Sequence, residues 1–215
     1  MTNGKLIAIE GMDGSGKSTT INYANEYLKS RGLKSEDYRQ PDGVYREMIM
    51  KTFGHPRLAY DRAVLAMLSR RRFIHESLLL AKDLKDVVLT DRFNFSTYCI
   101  HGIYEDQLGL INALGDYDRY KFFDHVPDAT IYLSCPAEVC WVRKHNSTTN
   151  EYEKTATQSS FTDLHRVFES QAQLNEGARG VRNGFGHIYI IDSNRDVRDV
   201  YLDLTHVIDA VLAKN

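Results

Sequence analysis

The chain has 215 residues, with 27 Lys and Arg against 29 Asp and Glu, giving a net charge of −2. This length suits one domain, residues 1–215, with a sizeable core. The balanced charge provides no general basic field for nucleic acid. No apolar run is long enough for a membrane span, and the N-terminus lacks the apolar stretch of a secretion signal. We therefore expect neither a nucleic-acid nor a membrane partner.

The cysteines are odd in number and show no C-x-x-C spacing: Cys99, Cys135 and Cys140. This pattern favours reduced, buried small hydrophobes over a zinc site or a disulfide framework. Together with the missing leader, it predicts a soluble protein in a reducing compartment, the cytoplasm.

The first predicted elements are a strand at residues 5–10 and a helix from Lys17 to about Ser30. Between them lies a complete G-x-x-x-x-G-K-[ST] phosphate-binding loop. Two of its glycines can adopt angles that a Cβ forbids, so that backbone N–H groups turn onto phosphate oxygens. The helix points its positive dipole end at the same anion.

This loop predicts that the chain binds a nucleoside triphosphate. Lys17 brings a cation to the β- and γ-phosphates, and the Ser18 hydroxyl is suited to hold Mg²⁺. The expected ATP-binding residues are Gly11, Met12, Asp13, Gly14, Ser15, Gly16, Lys17, Ser18 and Thr19.

Strand and helix patterns alternate along the rest of the chain. A short polar strand leads to Arg39 and a turn at Pro41-Asp42-Gly43. A helix is predicted from Leu58 to about Ala81, with these core positions: Val64, Leu65, Leu68, Leu78 and Leu79. Further strands cover 87–90, 129–133 and 188–191, and a closing helix runs from about 197 to 213. This order predicts an α/β fold, a three-layer P-loop NTPase with a doubly wound parallel sheet.

Ligands of such sheets bind beyond the carboxyl ends of the strands. There the chain places Arg39 after one strand and Asp91-Arg92 after another, which together predict a second anion site. A hydroxyl acceptor usually needs a carboxylate base, which Gln40 cannot provide. A monophosphate is already an anion near neutral pH and needs arginines to position it. These residues favour a kinase whose acceptor already carries phosphate.

The chain resembles the thymidylate kinases, which transfer phosphate from ATP to deoxythymidine monophosphate, over nearly its whole length, from Lys5 to about Ile208. Several segments carry the resemblance: Asp13 in the phosphate loop, Arg39-x-Pro41-x-Gly43, Asp91-Arg92-Phe93 followed by Ser96-Thr97 and Gly102, Pro127 to Leu133, and Asp192-Ser193, where the family has an adenine-contacting loop. The ordered set is specific, whereas the phosphate loop alone is generic.

The resemblance implies roles for individual residues. Lys17 would hold the transferred phosphoryl group, and Ser18 and Asp91 would serve the Mg²⁺ site. Asp13 would bind the acceptor's 3′-hydroxyl, and Arg39 and Arg92 its phosphate. The implied base and substrate contacts are Pro41, Leu68, Arg72, Ser96 and Thr97. The family usually pairs through its long helices, so a homodimer is expected.

A mobile lid is expected at about residues 144–160, which are polar and rich in Ser, Thr and Asn. The phosphate loop contains no arginine, so the lid must supply the catalytic cation. Arg143 is the first candidate and Lys144 the second. Each could equally be a solvated helix-end charge.

The sequence departs from the family at several positions. Leu68 stands one helical turn before Arg72, where the family has an aromatic that stacks on the base, and Ile100 stands where a tyrosine is frequent. A divergent member, for example of phage or viral origin, that accepts a 5-substituted deoxyuridylate would fit these departures. Two alternatives are a deoxynucleoside kinase and a nucleotide-dependent switch, although the guanine-reading N-K-x-D sequence is absent.

Overall fold

The computed structural model describes residues 4–117, 125–147, 157–176 and 184–214. These residues contain one five-stranded sheet whose neighbouring strands are all parallel, in the order β2-β3-β1-β4-β5. The strands are β1 (Lys5–Glu10), β2 (Ser35–Arg39), β3 (Val87–Asp91), β4 (Ala129–Ser134) and β5 (His187–Asp192). The predicted doubly wound parallel sheet is confirmed.

The helices are α1 (Lys17–Ser30), α2 (Gly43–Thr52), α3 (Ala59–Phe73), α4 (Leu79–Leu84), α5 (Asn94–Thr97), α6 (Leu108–Tyr117), α7 (Ala137–Ser147), α8 (Gln158–Asn175) and α9 (Val197–Leu212). Two π-helical segments, Ile74–Leu78 and Tyr98–Tyr104, continue α3 and α5. A 3₁₀ turn at Pro56–Leu58 precedes α3. The predicted turn after β2 leads into α2, an element that the sequence pattern did not predict.

The sheet lies between helices on its two faces. On one face, α1 and α9 pack apolar side chains such as Leu28 and Ile208 against the strands. On the other face, the end of α3 and the segment after it contribute Phe73, Ile74 and Leu78. A third cluster, around Phe168 of α8, covers the end of the sheet near β4 and β5. The three-layer arrangement is as predicted.

The long predicted helix at 58–81 is helical throughout, but its buried face differs from the prediction. Of the predicted core positions, Leu78 is fully buried, whereas Leu68 and Leu79 are 44% and 41% exposed. Small residues such as Ala63 and Ala66 occupy the buried stripe of α3 instead. The prediction failed here because apolar residues occur on more than one side of this helix.

The predicted lid falls mainly outside the described residues, since 148–156 are not among them. Its N-terminal end is the last turn of α7, and Thr157 caps α8 by accepting a hydrogen bond from the Ser160 backbone N–H at 3.1 Å. All three cysteines are buried free thiols, as predicted. Among the described residues, every helix is too short or too polar to cross a membrane.

Candidate active site

The phosphate-binding loop connects β1 to α1 in the conformation that its sequence predicts. Gly11 and Gly16 have φ angles of 144° and 98°, in the region that disfavours side chains. Gly14 has a φ of 87°, and a Cβ there would lie 2.3 Å from the Cys140 carbonyl oxygen. The loop therefore packs directly against the first turns of α7, which carries Arg143.

Lys17 begins α1 and is held inside the loop. Its Nζ donates to the carbonyl oxygens of Gly11 and Met12 at 3.1 and 2.9 Å, and lies 3.7 Å from Asp13 Oδ1. Burial, followed by the positive charge of Arg92, lowers the pKa of Lys17 to about 8, although nearby carboxylates oppose the shift. An anionic phosphate bound beside Lys17 would further stabilise its charged form.

We predict that ATP affinity falls as the pH rises through about 8. Above that pH the free protein loses the Lys17 proton, whereas the phosphates of ATP stay ionised, since their last pKa is about 6. The dissociation constant for ATP should therefore rise about tenfold per pH unit above 8. Fluorescence or calorimetric titrations from about pH 7 to about pH 9.5 measure this dependence. The variant Lys17→Met should bind ATP weakly, with an affinity that does not depend on pH. An equally flat pH dependence of ATP affinity in the wild type would contradict the prediction.

The centre of the site is an ion pair between the phosphate loop and the segment after β3. Arg92, at a φ of 69°, donates to Asp13 Oδ1 at 2.5 Å and to Ser96 Oγ at 2.8 Å. Burial raises the pKa of Asp13, but the charges of Arg92, Lys17 and Lys144 outweigh it and hold that pKa well below its usual range. Asp13 is therefore a carboxylate that organises three cations around the cleft.

Glu10, the last residue of β1, fixes the segment that carries Arg92. It is fully buried, and its Oε1 accepts hydrogen bonds from the backbone N–H groups of Phe93 and Ser96 at 2.6 and 3.1 Å. Its Oε2 accepts from the Ser96 hydroxyl. No sequence motif pointed to Glu10, although a carboxylate at the end of an otherwise apolar strand is a usable signal.

Replacing Glu10 by glutamine is expected to lower the free energy of unfolding by about 2–4 kcal/mol. Both Glu10 carboxylate oxygens accept hydrogen bonds. The NH₂ group of a glutamine side chain would replace one of these oxygens, so that two buried donors would face each other and neither would have an acceptor. Urea unfolding followed by circular dichroism measures the loss. The exposed control Glu26→Gln should stay within about 0.5 kcal/mol of the wild type. Equal stability of the two variants would show that the Glu10 contacts carry little energy.

Arg39 and Asp91 end adjacent strands at the same edge of the sheet. The parallel register places them opposite each other, with Arg39 Nε 3.7 Å from Asp91 Oδ2. The peptide bond between Gln40 and Pro41 is cis. Arg39, Pro41, Asp91 and Arg92 line a cavity of about 790 Å³ together with Lys17 and Ser18 of the phosphate loop. One cavity thus joins both predicted anion sites.

The residues present fit a magnesium site. Asp91 Oδ1 is buried and has no hydrogen-bond partner among the residues described. Ser18 lines the same cavity from the exposed first turn of α1. A carboxylate and a hydroxyl are hard oxygen donors, and Mg²⁺ usually takes few protein ligands because phosphates and waters complete its shell.

Arg70, and not the predicted Arg72, is the inward-facing arginine of α3. Arg70 is 3% exposed, donates to Thr97 Oγ1 at 3.1 Å and to Asn94 Oδ1, and lies 4.1 Å from the centroid of the Phe93 ring. Burial lowers its pKa to about 10, and the charge of Glu10 partly offsets this.

Arg72 and Leu68 lie on the outer side of α3. Arg72 is exposed and its Nε donates to Glu76 Oε2 at 2.7 Å, and neither residue lines a described cavity. Their position gives no support to the predicted contact with the base, which stays a prediction. The helix phase assigns Arg70 to the inner position, and the residue one turn before it is the buried Ala66.

Ser96 and Thr97 contact two arginines, Arg92 and Arg70, and line neither of the two described cavities. The Ser96 hydroxyl bonds to Glu10 and to Arg92, and the Thr97 hydroxyl bonds to Arg70. Both side chains are buried. The two hydroxyls therefore orient the guanidinium groups of Arg92 and Arg70, and the substrate contact expected of Ser96 and Thr97 stays a prediction.

The two candidate lid cations lie at the end of α7. Lys144 is 8% exposed, and its Nζ lies 3.7 Å from Asp13 Oδ2 and over the Phe161 ring. Arg143 is exposed, and its Nη1 lies 3.6 Å from Cys135 Sγ. Both line the 790 Å³ cavity. Lys144 also borders a neighbouring cavity of about 570 Å³, whose apolar lining includes Phe161, Leu164 and Phe168 of α8.

Comparison with known proteins shows which family the chain belongs to. A family model described as Thymidylate kinase matches residues 9–200. Similar proteins include a thymidylate kinase of Nitrobacter hamburgensis, 29% identical over 84% of this chain and 87% of the relative. A thymidylate kinase of Legionella pneumophila (strain Corby) is 28% identical over 99% of this chain and 97% of the relative. A thymidylate kinase of Bacillus cytotoxicus is 27% identical over 97% of this chain and 99% of the relative. Since the family match covers most of a chain whose phosphate loop and arginine pair share one cleft, the protein belongs to the thymidylate kinase family.

Proposed function

We propose that the protein transfers the γ-phosphoryl group of ATP to a pyrimidine deoxynucleoside monophosphate, with dTMP as acceptor and dTDP as product. The family match supports this activity. The observation that carries the proposal is the single cavity lined by Lys17 of the phosphate loop and by Arg39 and Arg92 at the strand ends. Such a cavity accepts two phosphate-bearing ligands with their phosphates facing each other.

The proposed mechanism relies on position and charge. In phosphoryl transfer most of the catalysis comes from aligning the reactants and neutralising the transferred group. Lys17 would hold that group, and Arg39 and Arg92 would align the acceptor phosphate for in-line attack. The acceptor oxygen is already ionised, so that no residue of the chain needs to remove a proton.

Mg²⁺ held through Ser18 and Asp91 would neutralise charge on the ATP phosphates. Asp13 would accept a hydrogen bond from the acceptor's 3′-hydroxyl while remaining paired with Arg92. Arg143 is proposed as the lid cation that reaches the transferred group, since it lines the cavity beside the phosphate loop. Lys144, paired with Asp13, is the second candidate.

A 5-substituted deoxyuridylate is the second candidate acceptor. The 570 Å³ cavity shares Asp13, Arg92 and Ile100 with the nucleotide cavity and extends it. A larger base would have space there.

The deciding experiment is ADP release with Mg-ATP across a panel of acceptors. The panel holds dTMP, dUMP, 5-hydroxymethyl-dUMP, dCMP, UMP, dGMP and free thymidine. Fastest turnover of dTMP is the expected result, and faster turnover of 5-hydroxymethyl-dUMP would favour the second candidate. Turnover of thymidine without turnover of any monophosphate would overturn the acceptor-phosphate site and indicate a deoxynucleoside kinase.

We also propose a homodimer formed through the long helices, in the cytoplasm. Leu68, Leu79, Leu80 and Leu84 are between 41% and 61% exposed along α3 and α4, which is the composition of an interface. The buried free thiols fit a reducing compartment. Sedimentation velocity should give a dimer for the wild type and a monomer for Leu80→Glu. A wild-type monomer would contradict the assembly.

A further inference from the structure

One side of helix α2 lines the nucleotide cavity. Arg46, Ile49 and Met50 of the helix, and Phe53 directly after it, all belong to the lining of the 790 Å³ cavity. Residues at this spacing are neighbours on one side of a helix. This side begins with a cation and continues with apolar side chains. A ligand lying along it would therefore place its charged end near Arg46 and its least polar part near Phe53.

Phe53 lies where the two described cavities meet. It lines both of them, as do Asp13, Arg92, Ile100 and Lys144. In the proposed function Asp13 binds the sugar of the acceptor and Arg92 binds its phosphate, so the base is the part of the acceptor that has no contact assigned. Within the part of the chain that the structure describes, Phe53 is the only phenylalanine that lines both cavities.

The backbone on both sides of Phe53 is held by Arg62 of α3. Arg62 Nη1 donates to the carbonyl oxygens of Thr52 and His55 at 2.5 and 3.0 Å, and Arg62 Nε donates at 2.6 Å to Oε1 of Glu105, just after the second π-helical segment. The side chains of Arg62 and Glu105 are only 5% and 8% exposed. The partly exposed ring of Phe53 therefore projects from a fixed turn, which lowers the entropic cost of binding a ligand against it.

The phenylalanines close in sequence to the inward-facing arginines are not available to a base. Phe73, Phe93 and Phe95 are at most 3% exposed and line neither described cavity. The Phe93 ring is in addition covered by the guanidinium group of Arg70. An aromatic contact to the base at this cleft therefore has to come from another element.

We propose that the ring of Phe53 stacks on the base of the acceptor nucleotide and thereby contributes to acceptor affinity. This inference rests on the proposed function, and it places the base at the junction of the two cavities. Every base has a π face, so that stacking on an aromatic side chain tolerates different bases. The contact therefore favours a planar base over a saturated one, and does not by itself distinguish dTMP from a 5-substituted deoxyuridylate.

Dissociation constants for dTMP and 5,6-dihydro-dTMP, measured by calorimetric titration, test the proposal. The two nucleotides carry the same phosphate, sugar, carbonyl and methyl groups, but the saturated ring of the second is not planar. The wild type should bind dTMP about five- to fiftyfold more tightly than the dihydro compound. In Phe53→Leu this preference should fall below about twofold, because leucine offers an apolar surface without a π face. Phe53→Trp should keep the preference.

Tyr60→Leu is the matched control, because it removes an aromatic ring that is 56% exposed and lines neither described cavity. It should leave both dissociation constants unchanged. A wild type without the preference for dTMP, an unchanged preference in Phe53→Leu, or an equal rise of both constants would overturn the proposal, since general damage to the fold weakens both ligands alike. The titrations measure binding alone. Failure of the wild type to release ADP with dTMP would instead contradict the proposed function.

Discussion

Replacing Arg92 by lysine should lower kcat/KM for dTMP by about 10²–10³-fold. The two Nη atoms of Arg92 are already directed, one to Asp13 and one to Ser96, so the planar guanidinium reaches the cleft in a fixed orientation. A lysine keeps the charge but has no fork with which to hold this geometry and a phosphate together. Steady-state rates with saturating Mg-ATP and varied dTMP measure the effect.

Arg72→Lys is the matched control for this prediction. It makes the same chemical change on the exposed side of α3, where Arg72 contacts Glu76. It should leave kcat/KM within about twofold of the wild type. Thermal unfolding of both variants separates loss of activity from loss of fold. A loss of less than about fivefold in Arg92→Lys would mean that the acceptor phosphate is not held there.

Replacing Lys17 by methionine should lower kcat by about 10²–10³-fold and weaken ATP binding. Methionine fills much of the space of the buried lysine stem, so the phosphate loop keeps its packing while the cation is lost. The kcat is measured by coupled ADP release, and ATP affinity by titration with a fluorescent analogue.

Lys29→Met, near the exposed end of α1, is the control and should behave as the wild type. Because Lys17 Nζ contacts the loop's own carbonyl oxygens, its loss could also alter the loop backbone. Thermal unfolding should show no more than a few degrees of change. Near-normal kcat in Lys17→Met would contradict the assignment of the loop as the site of phosphoryl transfer.

Most of the sheet could be predicted from the sequence because four of the five described strands are short, mainly apolar runs, which are typical of a parallel sheet buried on both faces. The predicted strand at 87–90 extends by one residue to Asp91, and the first strand has the predicted bounds. The phosphate loop could be predicted equally well, because its backbone conformation requires glycines and its anionic ligand requires the cation of Lys17. These features depend on residues close together in the chain.

Features set by distant contacts could not be read in the same way. Three consecutive arginines leave it undetermined from the sequence which of them faces inward from α3, and the structure shows that the buried one is Arg70 and not the predicted Arg72. Helix α2 shows no apolar stripe and buries only Ile49 among its residues. The partners of Glu10 lie more than 80 residues away along the chain. Each of these features depends on contacts between distant parts of the chain and could be identified only from the three-dimensional structure.

The π-helical segment Tyr98–Tyr104 has an implication for how this protein is compared with its relatives. A single residue inserted into an α-helix is commonly absorbed as a π turn, which keeps the flanking residues in phase. A relative with a regular α-helix here should therefore align with a one-residue gap inside this segment, and not at its ends. Shortening the segment by one residue would shift Glu105 out of phase with Arg62. This stretch of the chain should thus tolerate substitutions far better than deletions.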